Sequence, residues 1–331
     1  MDKVINAIKR YKRFLITAHI NLEGDSLGSQ LAMRELVRAM GKDAVIVDDD
    51  AVPDHYAFLP GAGDVLSVDR APADFDAVIA LDCPTVKRIG RVKGMIKKGI
   101  PVINIDHHVS NEFFGSVNWV EPQASSAGEM VYRLFKATGA RLTKETALCL
   151  YIAILTDTGS FNYDNTSSAT HDIAGELLGY GLNPASVSES VYERRTPADI
   201  KLLGLVLSTL KVNRTGEVAY LDITRAMIKK SGADMAKSEG LINYARSIDG
   251  VKIAVIFKED LKAKRRVNVS FRSKGDYNVN DVAAHFGGGG HVKASGCTVK
   301  GTLASVKKRV LACVEEELRL KKSYGRNTDS R

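Results

Sequence analysis

At 331 residues the chain has room for two domains of ordinary size. With 44% hydrophobic and 26% charged residues it has the composition of a folded globular protein. Its longest apolar stretch, near residues 148–155, is far too short to cross a bilayer. The opening segment MDKVINAIKRYKRF lacks the apolar core of a secretory signal. Cys83, Cys149, Cys297 and Cys313 are scattered, with no C-x-x-C pair, which excludes a disulfide scaffold or zinc ribbon and fits a reducing cytoplasm.

In chain order, Phe14–Ala18 (FLITA) predicts a buried strand, followed by helical spacing over Ser26–Met40. Ala44–Val47, Ala77–Leu81 and Val102–Ile105 are further β-branched runs, and helices are predicted over Ser126–Ala137 and Lys144–Thr156. Strands alternating with helices imply an α/β domain with a parallel sheet covered on both faces. Beyond about Asn183 the pattern changes. A connector helix is expected over Pro197–Leu210, then strands near Val218–Ile223, Lys252–Lys258 and Arg266–Arg272, with helices near Val279–His285 and Leu303–Arg319. The expected division is a first domain over 1–190, a connector over 191–210, a smaller α/β domain over 211–320 and a frayed basic tail over 321–331.

Polar clusters stand directly after the predicted strands. His19, Glu23 and Asp25 follow the first, Asp82 follows AVIAL, and Asp106, His107 and His108 close VINI. The carboxyl ends of strands in an open parallel sheet line the ligand crevice. These residues should therefore converge on one edge, where Asp157, just after an apolar helix, can join them. So many carboxylates repel one another unless cations intervene. A mixture of carboxylate and imidazole suits Mn²⁺, with Mg²⁺ or Co²⁺ as substitutes, and two ions together can activate water and clamp a phosphoryl group. A lone Asp82 would read as a turn or cap residue; three such clusters at successive strand ends do not. His55 and His171 have no such setting and read as surface or core histidines.

Charge is uneven. Residues 251–331 hold 18 Lys/Arg against 8 Asp/Glu, whereas residues 1–250 hold 29 against 31. Such a segment can meet an anion or simply add solubility, and charge alone leaves both open. The glycine run Gly287–Gly290 before His291 reads by itself as a flexible turn, or as bare backbone approaching a phosphate. Arg272, on a predicted strand nearby, can grip a phosphate bidentately. Lys262, Lys264, Arg265 and Arg266 suggest a solvated hairpin loop, and Phe271 and Phe286 read as core before they read as base-stacking rings.

These motifs resemble the DHH phosphoesterases, named for a triplet seen here as Asp106-His107-His108. HINLEGD followed by SLGS resembles the family's H-x-N-x-D-x-D motif. Asp82 in LDCPTVKRIG, TDTGSF at Thr156–Phe161, and FGGGGHVKASGCTV at Phe286–Val299 resemble later ones, the last from the DHH-associated C-terminal substrate-binding domain. Within the family the likeness is to the bifunctional oligoribonuclease and pAp phosphatase (nanoRNase) group.

The resemblance implies that His19, Glu23 and Asp82 hold one ion and that Asp25, Asp82, His107 and Asp157 hold the other, with Asp82 bridging. It implies that His108 orients or protonates the substrate, that Asp106 fixes a histidine ring, that Asn21 ties the first loop and that Gly24 and Gly28 let the backbone pack closely. Arg272, Gly288, Gly289, Gly290 and His291 would bind substrate, the active site lying in the cleft between the domains. Two departures stand out: Glu23 replaces the usual Asp, and Asn162 stands where relatives often carry Arg. The expected function is hydrolysis of short oligoribonucleotides and dephosphorylation of pAp by a cytoplasmic enzyme, as a homodimer and without a membrane partner. The competing readings are a cyclic dinucleotide (c-di-AMP or pApA) phosphodiesterase and, from another class, a nucleotide or nucleic-acid binder whose metal site is impaired.

Overall fold

The computed structural model describes residues 1–238 and 240–328, which form two units divided between Arg194 and Arg195. The first unit contains the strands β1 (Arg13–Thr17), β2 (Asp43–Asp48), β3 (Leu66–Ser67), β4 (Ala77–Leu81), β5 (Val102–Asp106) and β6 (Val117–Val120). All are parallel, in the spatial order β3-β2-β1-β4-β5-β6. The order reverses between β1 and β4, the place where open α/β sheets bind ligands. Six helices belong to this unit: α1 (Asp2–Arg10), α2 (Gly24–Ala39), α3 (Ala127–Thr138), α4 (Lys144–Asp157), α5 (Ser168–Leu178) and α6 (Pro184–Tyr192).

Both faces of this sheet are covered, as the continuous apolar strands require. Phe14 and Ile16 of β1 join Leu27 and Leu31 of α2 and Leu150 of α4 in one core. Leu15, between them, joins Val47, Val78 and Val92 on the opposite face. This alternation is the period of two that pleating imposes. The helices α2 and α4 meet closely: a Cβ on Gly28 would lie 2.4 Å from the Cys149 carbonyl, and one on Gly24 would lie 2.4 Å from Thr156 Oγ1.

The second unit begins with α7 (Pro197–Leu207). Its sheet comprises β7 (Lys211–Val212), β8 (Val218–Ile223), β9 (Ile253–Glu259), β10 (Arg266–Ser273), β11 (Gly289–Gly290) and β12 (Ala294–Lys300), ordered β11-β12-β10-β9-β8-β7. Only the β8–β9 pair is parallel. The remaining helices are α8 (Arg225–Ser231), α9 (Ile242–Arg246), α10 (Val279–His285) and α11 (Leu303–Thr328). Phe257, Val269 and Phe271 pack on one face against Val282 of α10 and Val310 of α11. Leu221 and Ile256 pack on the other against Leu202 and Val206 of α7 and Ala245 of α9.

The parallel sheet and a second sheet in the C-terminal unit are those the sequence predicts, although the second has six strands among the described residues, of which the sequence predicts only β8, β9 and β10. Two further differences are plain. The helix α7 packs on the second sheet as one of its core elements. The last helix continues to Thr328, nine residues past its predicted end, and 329–331 of the expected tail lie outside the described residues.

Candidate metal centre

The centre is built where β1, β4 and β5 end. His19 follows β1, and its Nδ1–H donates to the Ile20 carbonyl at 2.8 Å. Its Nε2 lies 3.1 Å from Asp82 Oδ2, within hydrogen-bond distance, and 3.8 Å from Glu23 Oε1. Asp82 stands at the end of β4 with φ of 52°, a left-handed conformation that an aspartate adopts at local cost. Its other oxygen, Oδ1, lies 3.4 Å from His107 Nε2. His107 follows β5 and is set in the same way as His19, its Nδ1–H donating to the Ala124 carbonyl at 3.1 Å.

Helix termini bring in the remaining acids. Asp25, in the first turn of α2, accepts from the Ala127 and Gly128 amides at 2.7 and 2.8 Å. These are amides of the first turn of α3, which carry no intrahelical partner and favour a negative charge. Asp25 Oδ2 is 3.6 Å and Asp157 Oδ2 is 3.5 Å from His107 Nε2. Asp157 ends α4 and accepts from Asn165. The close approach of α2 and α4 at Gly24 and Gly28 is therefore what places Asp25 beside Asp157.

His108 turns to a different partner. Its Nδ1 donates to Asp106 Oδ1 at 2.7 Å, and Asp106 Oδ2 accepts from Asn111 at 2.5 Å. Asn111 reaches across to the Asn104 side chain and the Cys83 carbonyl, locking the two strand-end loops together.

The electrostatics describe a buried acidic site. Burial raises Asp25 well above the carboxylate range, with the Asp82 and Asp157 charges adding to it. Asp157 is pushed up to about 7, chiefly by burial. Burial acts on Asp82 in the same sense, but the His107 and His19 imidazoles that face it override it and hold this carboxyl well below its ordinary value. For His19, burial opposes protonation, yet Asp82 and Glu23 raise its pKa well above the imidazole value. His107 is raised likewise by Asp157 and Asp82 against its burial.

The donor set fits divalent cations. Two imidazole nitrogens, oriented by backbone carbonyls, face four carboxylates across less than 4 Å. Asp82 Oδ1 is buried and makes no hydrogen bond among the described residues, a costly arrangement that a cation would relieve. Ligand atoms of His19, Glu23 and Asp82 lie within 4.8 Å of one another, as do those of Asp25, Asp82 and His107.

Sequence reasoning missed the residues that hold the first loop in place. Asp48, Asp49 and Asp50 follow one another from the end of β2. Asp48 accepts from the Ala18 amide at 3.1 Å and Thr17 Oγ1 at 3.2 Å, Asp49 accepts from the Arg91 amide, and Asp50 accepts from the Asn21 amide. The reasoning applied to Asp82 and Asp106, acids at a strand's carboxyl end, would have singled them out. Asn21 is exposed, with φ of 64°, and the contact it makes to Asp50 runs through its backbone. Asn162 is exposed and donates to the Gly159 and Ser160 carbonyls, closing the left-handed turn of the TDTGSF segment.

Comparison with known proteins agrees with this geometry. The DHH family N-terminal domain matches residues 13–154, and the DHHA1 domain matches residues 216–320. The bifunctional oligoribonuclease and PAP phosphatase NrnA of Thermus thermophilus is 35% identical over 305 residues, covering 92% of this chain and 89% of that protein. This chain belongs to the DHH phosphoesterase family. The protein of the same name from Bacillus subtilis is 28% identical, with 90% and 92% covered. An exopolyphosphatase-related protein from Bacteroides fragilis has a similar structure, with a TM-score of 0.86, 29% identity, and 98% and 96% of the two chains covered. As a DHH-family protein, the chain is a hydrolase of phosphoester bonds.

Its DHHA1 domain shows why the glycine run is glycine. A Cβ on Gly288 would lie 2.1 Å from the Gly296 carbonyl, and one on Gly290, at φ 143°, would lie 2.6 Å from the Ala294 carbonyl. Packing against β12 thus accounts for these two positions. Gly289 is exposed, and a Cβ there would meet only Asn280 Oδ1, at 3.8 Å. Arg272 Nη1 donates to the Phe271 carbonyl, and its buried Nε has no hydrogen-bond partner among the described residues. The His291 amide donates to the Ala294 carbonyl, closing the turn between β11 and β12. Phe271 is fully buried core. The basic run at 262–266 lies on the turn from β9 to β10, which Arg225 clamps through the Asp260 and Ala263 carbonyls.

Proposed function

We propose that this protein hydrolyses short oligoribonucleotides to mononucleotides and dephosphorylates pAp, using two divalent ions held by its DHH domain. The observation that carries the reading is Asp82, whose two oxygens face His19 and His107 separately. His19, Glu23 and Asp82 form one ligand set, and Asp25, Asp82, His107 and Asp157 the other. Oxygen and imidazole donors without sulfur favour Mn²⁺, with Mg²⁺ or Co²⁺ as substitutes. When bound, such a pair makes water acidic enough to lose a proton near neutral pH and offsets the charge that builds on phosphorus.

The chain's own groups do the rest. Asp106 holds the His108 ring by its Nδ1, so that the imidazole can donate a proton toward the leaving oxygen. The α3 amides fix Asp25, and the Ile20 and Ala124 carbonyls fix the two ligand imidazoles, which keeps the donors in place before substrate arrives. Arg272, Gly288, Gly289, Gly290 and His291 of the DHHA1 domain bind the substrate's nucleotide and phosphate groups. The curated relatives' names support this choice of substrate. A homodimer and a cytoplasmic location complete the proposal. Unpaired Cys83, Cys149, Cys297 and Cys313 support that location, and no helix among the described residues is long and apolar enough to cross a membrane.

The test is a product assay with Mn²⁺ across RNA of two to five nucleotides, pAp, pApA and c-di-AMP. The proposal expects mononucleotides from the RNA and AMP from pAp. Cleavage of the cyclic dinucleotide with neither RNA nor pAp turned over would replace it with the phosphodiesterase reading. Binding without turnover of any substrate would favour the nucleotide-binding reading.

A further inference from the structure

Between Asp82 and β5 the chain carries Lys87, Arg88, Arg91, Lys93, Lys97 and Lys98 over residues 86–98, with no acidic residue among them. The charge balance of the first 250 residues conceals this segment, because acids elsewhere cancel it. Two short 3-10 turns, broken at Gly90, hold residues 86–95.

The segment is fastened to the loop that carries His19. The Ile20 amide donates to the Arg88 carbonyl at 2.8 Å. Gly90 sits at φ 59°, so close that a Cβ there would lie 2.3 Å from Asp49 Oδ2 and 2.8 Å from Ile20 Cγ2. Arg91 is consumed in this anchoring: its amide and Nε bind Asp49, and Nη1 reaches Asp69. The five other cations form no ion pair among the described residues. Lys87, Lys93, Lys97 and Lys98 are exposed and Arg88 is half-buried, close enough to bear electrostatically on the buried Cys83 beside Asp82. Among acids near the segment, Asp49 and Asp69 are bound to Arg91, Asp82 and Asp106 act on the same Cys83 as Arg88 does, and exposed Glu112 donates its amide to the Pro84 carbonyl.

We propose that residues 86–98 form a phosphate track on the DHH domain, in which Lys87 and Arg88, followed by Lys93, Lys97 and Lys98, take the non-scissile phosphates of an oligoribonucleotide. The proposal rests on the oligoribonuclease reading and names the chain's own means of preferring RNA with several phosphodiesters. A backbone track of lysines selects for phosphates in sequence and leaves the bases unread. pAp, with a single non-scissile phosphate and no internucleotide phosphate, can engage the track at one position at most.

The test compares the full-length protein with the double variant Lys87→Gln, Arg88→Gln. As a charge-matched control, Lys229→Gln, Lys230→Gln removes two exposed cations from α8. Binding of a fluorescent five-nucleotide RNA is titrated against salt in chelator, where no turnover occurs, and KM is then measured on that RNA and on pAp with Mn²⁺. Loss of two phosphate contacts should flatten the slope of log K against log salt by about 1.4 and weaken binding about tenfold at low salt. The KM for RNA should rise by a similar factor, with a smaller rise for pAp and both kcat values unchanged. An unchanged salt slope, an equal change in the control, or an equal loss on pAp would each overturn the track. The binding arm needs no hydrolysis, so it decides this proposal even if the reading of the activity fails.

Discussion

His19 Nε2 lies 3.1 Å from Asp82 Oδ2, both side chains being almost wholly buried. The second oxygen of the same carboxylate faces His107. One residue thus stands between two imidazoles that follow different strands of one parallel sheet, and it belongs to both candidate ligand sets.

Replacing Asp82 by Ala removes a ligand from both sets at once. Turnover of RNA and pAp should fall by at least about 100-fold, a barrier increase of about 2.7 kcal/mol. Its circular dichroism should match the parent protein. Retention of more than about a tenth of the rate, under about 1.4 kcal/mol, would remove Asp82 from the bridging position.

Glu23 is the exposed member of the His19 set, 3.8 Å from that imidazole and with 43% of its side chain exposed. Glu23→Asp should change Mn²⁺ affinity at one site and spare the other, because Glu23 belongs to a single set. Superimposable calorimetric titrations of the two proteins would show that Glu23 is no ligand.

Gly28 offers a test of how the acids are brought together. Ala at this position would drive a methyl to 2.4 Å from the Cys149 carbonyl. Forcing α2 and α4 apart should cost about 1–3 kcal/mol of stability and weaken the metal set containing Asp25 and Asp157. Denaturant unfolding and Mn²⁺ titration of Gly28→Ala check both. Parent-like values in both would mean that this contact does not position the acids.

Asp48 carries a pH dependence of its own. Its pKa is raised to about 6, first by burial, against hydrogen bonds from Ala18 and Thr17. A folded-state pKa above the unfolded value means that the folded protein holds the proton more tightly. Asp48 therefore costs stability progressively between about pH 4 and 6, and the whole cost is present above that. Asp48→Asn keeps an oxygen for the Ala18 amide and should be stabilised by up to about 3 kcal/mol at pH 8, with little gain at pH 4. Thermal unfolding in chelator at the two pH values measures the difference; a gain larger at pH 4 would reverse the assignment.

The central strands were legible because β4 and β5 are buried at every position and read as short, mainly apolar runs, even with Asn104 inside β5. β6 was not, since Val117–Val120 is only four residues long and half-buried throughout. α1 and α5 also went unread, being short segments with few fully buried positions. The convergence of His19, Asp82, Asp106 and His107 follows from parallel strand ends, which a sequence can reveal. The supports around them do not follow, because they depend on tertiary approach. Asp48 reaches back 30 residues to Ala18, and α3 meets Asp25 from more than 100 residues away. The close packing of Gly288 and Gly290 on β12 was invisible for the same reason, and it gives those glycines a role in packing that sequence could not separate from a role in binding.

The most direct test of the two-ion centre is the electron paramagnetic resonance spectrum of the protein titrated with Mn²⁺, together with the number of ions bound per chain. The geometry predicts two ions per chain with the spectrum of a spin-coupled pair, and loss of the coupling in Asp82→Asn. Saturation at a single ion, or two ions whose spectrum is uncoupled in the parent protein, would contradict a site shared through Asp82.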